Sequence, residues 1–309
     1  MESSRQARQS PATPAEADGA YRHVTVIPRH PLIGAEVRGL DLAAPLGREV
    51  LDEVRRAWLA HLLLIFPEQR ISDRQQIAFA RNFGELEIHP SAAHRSSRHP
   101  EIYRVANVDE EGRILDSASE AWRYLNITWL WHSDSSFREV PSNGSILHGI
   151  EVTKAGGETL FCNLYAVYDA LPAAMKRRIA GLRVRHSHDA VLRRGRELRR
   201  NAGYAELPPV SHPLVRRHPE TGRASLFISP HTMEGIEERA VEESAALLDQ
   251  LTAFAIQDRF VYRHVWRTDD VIFWDNRCTM HAVTPYDNAH ARRIMHRTTI
   301  VGDRPVLPA

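Results

Sequence analysis

Two short stretches of the chain carry side chains that are suited to hold a metal ion. The first is His132-Ser133-Asp134, and the second begins at His281. Imidazole and carboxylate groups both ligate divalent transition metals. Residues i and i+2 of a regular strand point to the same face of a sheet, so a strand through His132-Ser133-Asp134 would turn the His132 and Asp134 side chains toward one ion. His281 would then be the third ligand.

The pattern His-x-Asp/Glu is a weak signal by itself, because the chain contains 17 histidines. It also occurs at His99-Pro100-Glu101 and at His218-Pro219-Glu220. Both copies have a central proline, which lacks the backbone N–H that continues a sheet, so we predict loops there. His132 instead lies between Trp129-Leu130-Trp131 and Ser135-Ser136-Phe137, an aromatic setting typical of a strand.

His281 follows a buried-strand pattern at residues 271–274 and the turn Asp275-Asn276-Arg277. Two histidines and one carboxylate on one side of a metal form the facial triad of non-haem Fe(II) oxygenases. That triad leaves coordination positions open for a co-substrate and O2. Zinc hydrolases also use two histidines and a carboxylate, so the three ligands alone leave both classes open.

An arginine-rich strand follows the third ligand. Residues 294–301 read as a strand, and period-2 alternation places Arg293, Met295 and Arg297 on one face. The two arginines would lie about 13 Å apart at ~3.3 Å per residue. Two inward arginines are costly unless each meets an anion, which predicts a site for two separate acids, one of them a co-substrate.

The bulk composition sets limits on the class of protein. The chain has 309 residues, 43% of them hydrophobic, and a formal net charge of +1, which gives no reason to expect nucleic acid or a membrane as partner. Cys162 and Cys278 cannot build a disulfide framework, so we expect a reducing, cytoplasmic location and a buried, inert Cys278. Residues 1–20 lack an apolar stretch and are predicted to be a disordered tail.

The remaining residues, 21–309, are predicted to form one domain. Helices are expected at 48–61, at 72–81 with Ser72 as N-cap, at 164–179 and at 237–262. Short strands separated by Gly and Pro turns favour a mainly β fold with flanking helices and a jelly-roll, cupin-like core. The strands are expected at residues 24–27, 62–66, 101–108, 145–150, 158–163, 182–186, 214–216, 225–228, 271–274 and 294–301.

An arginine-rich insertion interrupts the β pattern at about residues 186–205. We interpret it as a solvated, mobile segment. A lid that attracts an anionic substrate is the alternative.

Several blocks resemble the family of taurine dioxygenase and 2,4-dichlorophenoxyacetate dioxygenase (TauD/TfdA). Trp131-His132-Ser133-Asp134-Ser135-Ser136-Phe137 and Trp274-Asp275-Asn276-Arg277-Cys278-Thr279-Met280-His281 look like the herbicide-degrading branch. Arg292-Arg293-Ile294-Met295-His296-Arg297 and Gly84-Glu85-Leu86-Glu87-Ile88-His89-Pro90 look like the taurine branch. The resemblance covers residues 24–305, and the chain is identified on it as a member of the family.

The resemblance implies Fe(II) as the metal, 2-oxoglutarate as co-substrate and O2 as oxidant. Carried over residue by residue, it makes His132, Asp134 and His281 the iron ligands. Related halogenases lack the carboxylate ligand, so the presence of Asp134 argues for oxygen transfer.

The resemblance also implies that Arg293, with the Thr159 hydroxyl beside it, binds the distal carboxylate of 2-oxoglutarate. The loop after His281 is one residue longer than in the taurine branch, so counting from the histidine selects Arg292 instead. We choose Arg293 because the Arg-Arg-Ile-Met-His-Arg block aligns as a unit, and a loop absorbs an insertion.

Two further residues match positions that contact the anionic group of the substrate in the taurine branch, Arg297 and His89. A surface ion pair for Arg297 and a structural loop role for His89 are the alternatives. The family's aromatic residue three positions after that histidine is here Ala92, and its frequent Asn before the first ligand is Thr128. Both departures change the pocket wall and argue against taurine itself.

The expected reaction is hydroxylation of an aliphatic C–H in a small organic acid such as a sulfonate, an alkyl sulfate or an aryloxyalkanoate, with release of succinate and CO2. A biosynthetic oxygenase acting on an amino-acid-like metabolite is the alternative. A metal-binding sensor without turnover is a third, remote alternative. A zinc hydrolase is also possible from the ligands, but it would assign no role to Arg293 and Thr159. The family also implies a homo-oligomer, a dimer or a tetramer.

Overall fold

The computed structural model describes residues 21–89, 94–194 and 207–309. The predicted tail at residues 1–20 lies outside this part of the chain. The described residues form a mainly β fold with flanking helices, as predicted. The strands are β1 Thr25–Pro28, β2 Ala35–Arg38, β3 Leu63–Phe66, β4 Tyr103–Ala106, β5 Gly144–Glu151, β6 Thr159–Asn163, β7 Arg183–His186, β8 Val210–Pro213, β9 Val215–Arg217, β10 Ala224–Leu226, β11 Met233–Ile236, β12 Val261–His264, β13 Val271–Asp275, β14 Thr279–Val283, β15 Ile294–Ile300 and β16 Leu307–Pro308. The helices are α1 Arg48–His61, α2 Asp73–Ala80, α3 Glu120–Asn126, α4 Leu164–Ala170, α5 Ala173–Ile179, α6 His188–Arg194 and α7 Val241–Ala255.

One large sheet and one small sheet enclose the part of the core that carries the site. The large sheet has the order β1-β2-β3-β13-β5-β15-β4, and the small one the order β12-β6-β14. Apolar side chains of both meet in a single buried cluster, with Ile272, Trp274 and Met295 from the large sheet and Phe161 from the small one. This pairing of sheets is the jelly-roll core, and it places β14 and β15 on opposite walls.

Helices α1 and α2 pack on the outer face of the large sheet. The apolar positions of α1 recur at helical spacing, so Val54, Ala57 and Trp58 are buried on one side. Ser72 caps α2 as predicted: its hydroxyl accepts a hydrogen bond from the backbone N–H of Gln75, whose side chain reaches back to the Ser72 backbone.

Two predicted helices differ from the structure. The single helix predicted at 164–179 is two helices, α4 and α5, separated at Pro172 because proline lacks the N–H that helix continuation requires. The helix predicted at 237–262 is shorter: α7 ends at Ala255, and β12 pairs antiparallel with β6. Sheet pairing with a distant strand decides the conformation of residues 261–264.

The insertion predicted at 186–205 is described only in part. Its first portion forms α6, whose Val191 and Leu192 are buried against Ile127. Residues 195–205 lie outside the described part, so the lid stays a prediction. Among the described residues no helix has both the length and the apolar character that a bilayer crossing requires.

Candidate active site

The three predicted metal ligands lie together in the structure. One ligand atom from each of His132, Asp134 and His281 falls within 4.8 Å of the others, and all three residues are buried. A backbone bridge fixes the two histidines: the His132 N–H donates to the His281 carbonyl at 2.9 Å, and the His281 N–H donates back at 2.7 Å. His281 belongs to β14, so the small sheet positions the first ligand through this bridge.

The prediction that His132 and Asp134 lie on one regular strand is wrong. Only His132 makes a β-bridge, and the chain turns at Asp134, with Ser135 at a positive φ of 54°. The Asp134 backbone N–H donates to Asn276 Oδ1 at 3.3 Å, which ties the turn to the end of β13. The carboxylate is therefore aimed by a turn and a side-chain contact rather than by strand alternation.

His132 is prepared as a neutral ligand. Its Nδ1 lies 2.7 Å from the Leu130 carbonyl, an interaction that requires the proton on Nδ1 and leaves the Nε2 lone pair free. Burial lowers the pKa of His132 and brings that of His281 well below the ordinary histidine value. Both imidazoles are thus unprotonated at neutral pH, the form that binds a metal.

Asp134 supplies the negative charge of the site. Its Oδ2 accepts a hydrogen bond from Ser145 Oγ at 2.7 Å, and its Oδ1 accepts one from Arg297 Nη1 at 2.6 Å. Burial alone would raise the pKa of this carboxyl, but the charge of Arg297 and the hydrogen bond from Ser145 bring it below the usual range. Two neutral imidazoles and one carboxylate match the donor set that Fe(II) takes in a facial triad.

Arg293 is a buried cation that fits a carboxylate ligand. The residue is 2% exposed, its Nε donates to the Gly157 carbonyl at 3.2 Å, and its Nη2 has no partner among the described residues. Burial lowers its pKa to about 10, so it remains charged at neutral pH. No carboxylate of the described chain pairs with it, and a buried, unpaired charge is costly unless an anion joins it.

Arg292, the alternative choice, already has a counter-ion. Its Nε lies 2.9 Å from a carboxylate oxygen of Glu151, and its Nη1 donates to the Gly112 carbonyl. The side chain is 39% exposed. Of the two arginines, Arg293 is therefore the one that keeps a buried donor without a partner among the described residues.

Thr159 and Gly157 complete the surroundings of Arg293. Thr159 is buried at the start of β6, and its Oγ1 accepts a hydrogen bond from Trp266 Nε1 at 2.9 Å, so its own proton is available to a ligand. Gly157 has φ +74°, and a Cβ there would lie 3.2 Å from Arg293 Nε. Glycine therefore allows both the backbone conformation and the close approach of the guanidinium.

Arg297 and His89 meet around one aromatic ring that the sequence did not single out. The Arg297 guanidinium carbon lies 4.6 Å from the centre of the Tyr103 ring, and the His89 ring centre is also 4.6 Å from it. His94 stacks on Tyr124 beside them at 4.7 Å. Strand pairing places Tyr103 opposite Arg297, a neighbour relation that sequence patterns do not reveal.

The structure describes only one of the two positions, 92 and 128, at which the sequence differs from the family pattern. Ala92 lies outside the described residues. The Thr128 hydroxyl donates to the Leu125 carbonyl at 2.7 Å, so it closes a helical turn next to the first ligand.

A second group of potential ligands, His218, Asp275 and Cys278, is an ion-pair network instead of a metal site. Asp275 accepts hydrogen bonds from Arg277 Nε at 2.8 Å, from Arg277 Nη2 at 2.7 Å and from His218 Nε2 at 3.1 Å. Cys278 is buried as predicted, and burial raises the pKa of its thiol well above the usual value, which disfavours the reactive thiolate. The network holds the turn that leads from Asp275 through Asn276 to β14.

Asp275→Asn is expected to lower the free energy of unfolding by about 3–5 kcal/mol, because it leaves Arg277 buried with a reduced counter-charge. Urea denaturation at pH 7 measures this. Asp169→Asn is the matched control: its ion pair with Arg223 is exposed, so the cost should stay below about 1 kcal/mol. Equal stability of Asp275→Asn and the wild type would exclude a structural role for the network.

The same pair predicts an acid dependence. Burial would raise the pKa of Asp275, but Arg277 and His218 bring it below the usual value. A depressed carboxyl pKa stabilises the fold above the unfolded-state pKa of about 3.9, and that stability is lost as the pH falls below it. The stability of Asp275→Asn should therefore change less than that of the wild type on acidification.

Comparisons with known proteins cover almost the whole chain. The family model described as taurine catabolism dioxygenase TauD, TfdA family matches residues 25–299. The chain is 38% identical over 293 residues to an alpha-ketoglutarate-dependent 2,4-dichlorophenoxyacetate dioxygenase of Cupriavidus pinatubonensis, covering 92% of this chain and 99% of the relative. It is 34% identical over 305 residues to a pentalenolactone F synthase of Streptomyces arenae, covering 92% of this chain and 97% of that protein. A solved structure, AAD-2 in complex with Mn(II) and N-oxalylglycine, superposes with a TM-score of 0.84 at 34% identity, covering 93% of this chain and 99% of that one.

Proposed function

Because the chain belongs to the TauD, TfdA family and is an Fe(II)- and 2-oxoglutarate-dependent dioxygenase, we propose that it hydroxylates an aliphatic C–H of an aryloxyalkanoate-like organic acid. The metal would be held by His132, Asp134 and His281. Arg293 and Thr159 would bind 2-oxoglutarate. The observation that carries this assignment is the buried charge of Arg293, which has no carboxylate partner in the described part of the chain.

Some residues of the site would bind 2-oxoglutarate, and others would orient the metal ligands. Fe(II), 2-oxoglutarate and O2 together supply the oxidising power for C–H hydroxylation, with succinate and CO2 as co-products. Arg293 would bind the distal carboxylate through charge-assisted hydrogen bonds, and the free proton of Thr159 would add another. The Leu130 carbonyl holds the proton on His132 Nδ1, and Ser145 orients the Asp134 carboxylate.

Arg297 would bind the acidic group of the substrate, with His89 beside it. The surrounding rings favour an aryl acid: Tyr103 underlies the guanidinium, and the stacked pair His94 and Tyr124 continues the aromatic wall. Aromatic walls bind aryl rings by stacking, and an arginine on a ring face is pre-oriented for a carboxylate. The relative from C. pinatubonensis acts, by its name, on a substrate of this kind.

A biosynthetic oxygenase is the second candidate. The relative from S. arenae, similar over almost the whole chain, is named pentalenolactone F synthase. If the substrate is a metabolite without an acidic group, Arg297 would have no anion of the substrate to bind.

The cellular setting stays a proposal. Cys162 and Cys278 are both free and buried, which is compatible with the reducing cytoplasm that we propose. We retain the family's dimer or tetramer as the expected assembly.

The test is succinate release from 2-oxoglutarate by the Fe(II)-loaded protein in air, against a panel of aryloxyacids, alkyl sulfates, sulfonates and amino acids. Phenoxyacetate and its neutral analogue 2-phenoxyacetamide form the matched pair. Loss of one partner of a buried charge pair costs about 2–5 kcal/mol, so we expect the acid to exceed the amide at least ~30-fold in kcat/KM. Stimulation by neutral metabolites alone would favour the biosynthetic candidate.

A further inference from the structure

We propose that Arg297 couples the binding of an anionic substrate to the binding of the metal through one oxygen of Asp134, so that each ligand tightens the binding of the other. The coupling rests on the proposed function and adds a thermodynamic link between its two binding sites.

The two oxygens of the Asp134 carboxylate have different partners. Oδ2 accepts its hydrogen bond from Ser145 Oγ at 2.7 Å. Oδ1 accepts one from Arg297 Nη1 at 2.6 Å, and the same Oδ1 lies 4.0 Å from His132 Nε2. The oxygen on the side of the imidazole ligand is therefore the one that Arg297 binds. A metal held by this triad and the guanidinium would share a single carboxylate charge.

Arg297 has unused donor capacity. Its Nε is buried and has no partner among the described residues. The nearby carboxylate of Glu87 is already engaged, accepting from Arg138 Nη2 at 2.6 Å and from Ser135 Oγ at 2.8 Å. Asp134 is thus the one carboxylate that pairs with Arg297 in the described chain. An oxyanion of the substrate could therefore accept a hydrogen bond from Arg297 Nε while Arg297 Nη1 still donates to Asp134.

The direction of the coupling follows from the charges. A divalent cation and a guanidinium that share one carboxylate oxygen repel each other, and burial strengthens that repulsion. An anion bound to Arg297 compensates the guanidinium and lowers the free energy of placing the metal beside Asp134. Linkage makes the effect reciprocal, so the metal must tighten anion binding by the same factor.

The experiment measures the affinity of the protein for Mn(II) by competition with a fluorescent chelator, under saturating N-oxalylglycine. Phenoxyacetate is added, with 2-phenoxyacetamide as the neutral control. We expect phenoxyacetate to tighten Mn(II) binding by about tenfold in the wild type, within the usual range of coupling between sites. The amide should have no effect. N-oxalylglycine occupies the open metal positions, which limits direct coordination by the added acid.

Three variants locate the coupling. Arg297→Gln should abolish the phenoxyacetate effect, whereas direct coordination of the metal by the acid would persist in it. Arg297→Lys keeps the positive charge but lacks the planar guanidinium, so phenoxyacetate should still tighten Mn(II) binding, but by less than in the wild type. This variant remains informative if Arg297→Gln does not fold. Arg292→Gln, at an arginine that pairs with Glu151 instead, should couple like the wild type.

The outcomes separate this proposal from the proposed function. Normal Mn(II) and N-oxalylglycine binding with no response to phenoxyacetate would overturn the coupling alone. An equal response in Arg297→Gln and the wild type would overturn it as well. Failure of the wild type to bind Mn(II) would overturn both proposals.

Discussion

Replacing His132 with alanine is expected to weaken Fe(II) or Mn(II) binding by more than about 100-fold and to abolish 2-oxoglutarate turnover. Loss of a residue that merely orients a metal ligand costs about 10- to 100-fold in metal affinity, and His132 would be a ligand itself. Its Nδ1 is held by the Leu130 carbonyl, and its Nε2 lies 4.0 Å from Asp134 Oδ1. Chelator competition measures the affinity, and succinate release measures the turnover.

His99→Ala is the matched control for this prediction. His99 belongs to another His-x-Glu sequence, but it lies half-exposed in a loop and is not part of the buried ligand cluster. Its removal should leave both metal affinity and turnover unchanged. Wild-type metal affinity in His132→Ala would show that the ion is held elsewhere.

Arg293→Met is expected to raise the KM for 2-oxoglutarate by at least ~30-fold, because removing one partner of a buried charge pair costs about 2–5 kcal/mol. The same substitution should leave the ligand-free protein as stable as the wild type or more stable. It replaces a buried cation that has no carboxylate partner in the described chain with an apolar side chain of similar length. Initial rates and thermal unfolding of the ligand-free protein measure the two effects.

Arg292→Met is the control that separates the two adjacent arginines. Its loss removes a partly exposed pair with Glu151, which is worth less than about 1 kcal/mol, so KM should change less than ~5-fold. A large rise in KM for Arg292→Met with a normal value for Arg293→Met would reverse the assignment and support counting from His281.

The clustering of the candidate metal ligands was within reach of sequence reasoning, because two histidines and one carboxylate in this order match a facial triad. The structure brings His132, Asp134 and His281 together. The local conformation was not within reach. The strand prediction rested on alternation, whereas Asp134 is aimed by a turn that Asn276 holds from far along the chain.

Sequence analysis also missed residues whose neighbours are set by pairing between distant strands. Tyr103 contacts Arg297 because β4 pairs with β15, and an isolated sequence segment does not specify its neighbour. Likewise, the helix predicted at 237–262 ran into residues 261–262, which belong to β12, since pairing with β6 outweighs local propensity. The sequence block selected Arg293 over Arg292, and the burial and partners of the two side chains in the structure favour the same residue.

The most direct test of the shared metal and 2-oxoglutarate site is calorimetric titration of N-oxalylglycine into the protein with and without Mn(II). If the triad and Arg293 form one site, the ligand should bind at a 1:1 ratio, and at least ~10-fold more tightly with the metal than without it, because metal and arginine would hold opposite ends of the same molecule. Binding of equal strength with and without Mn(II), or no binding in its presence, would contradict a single site built from these residues.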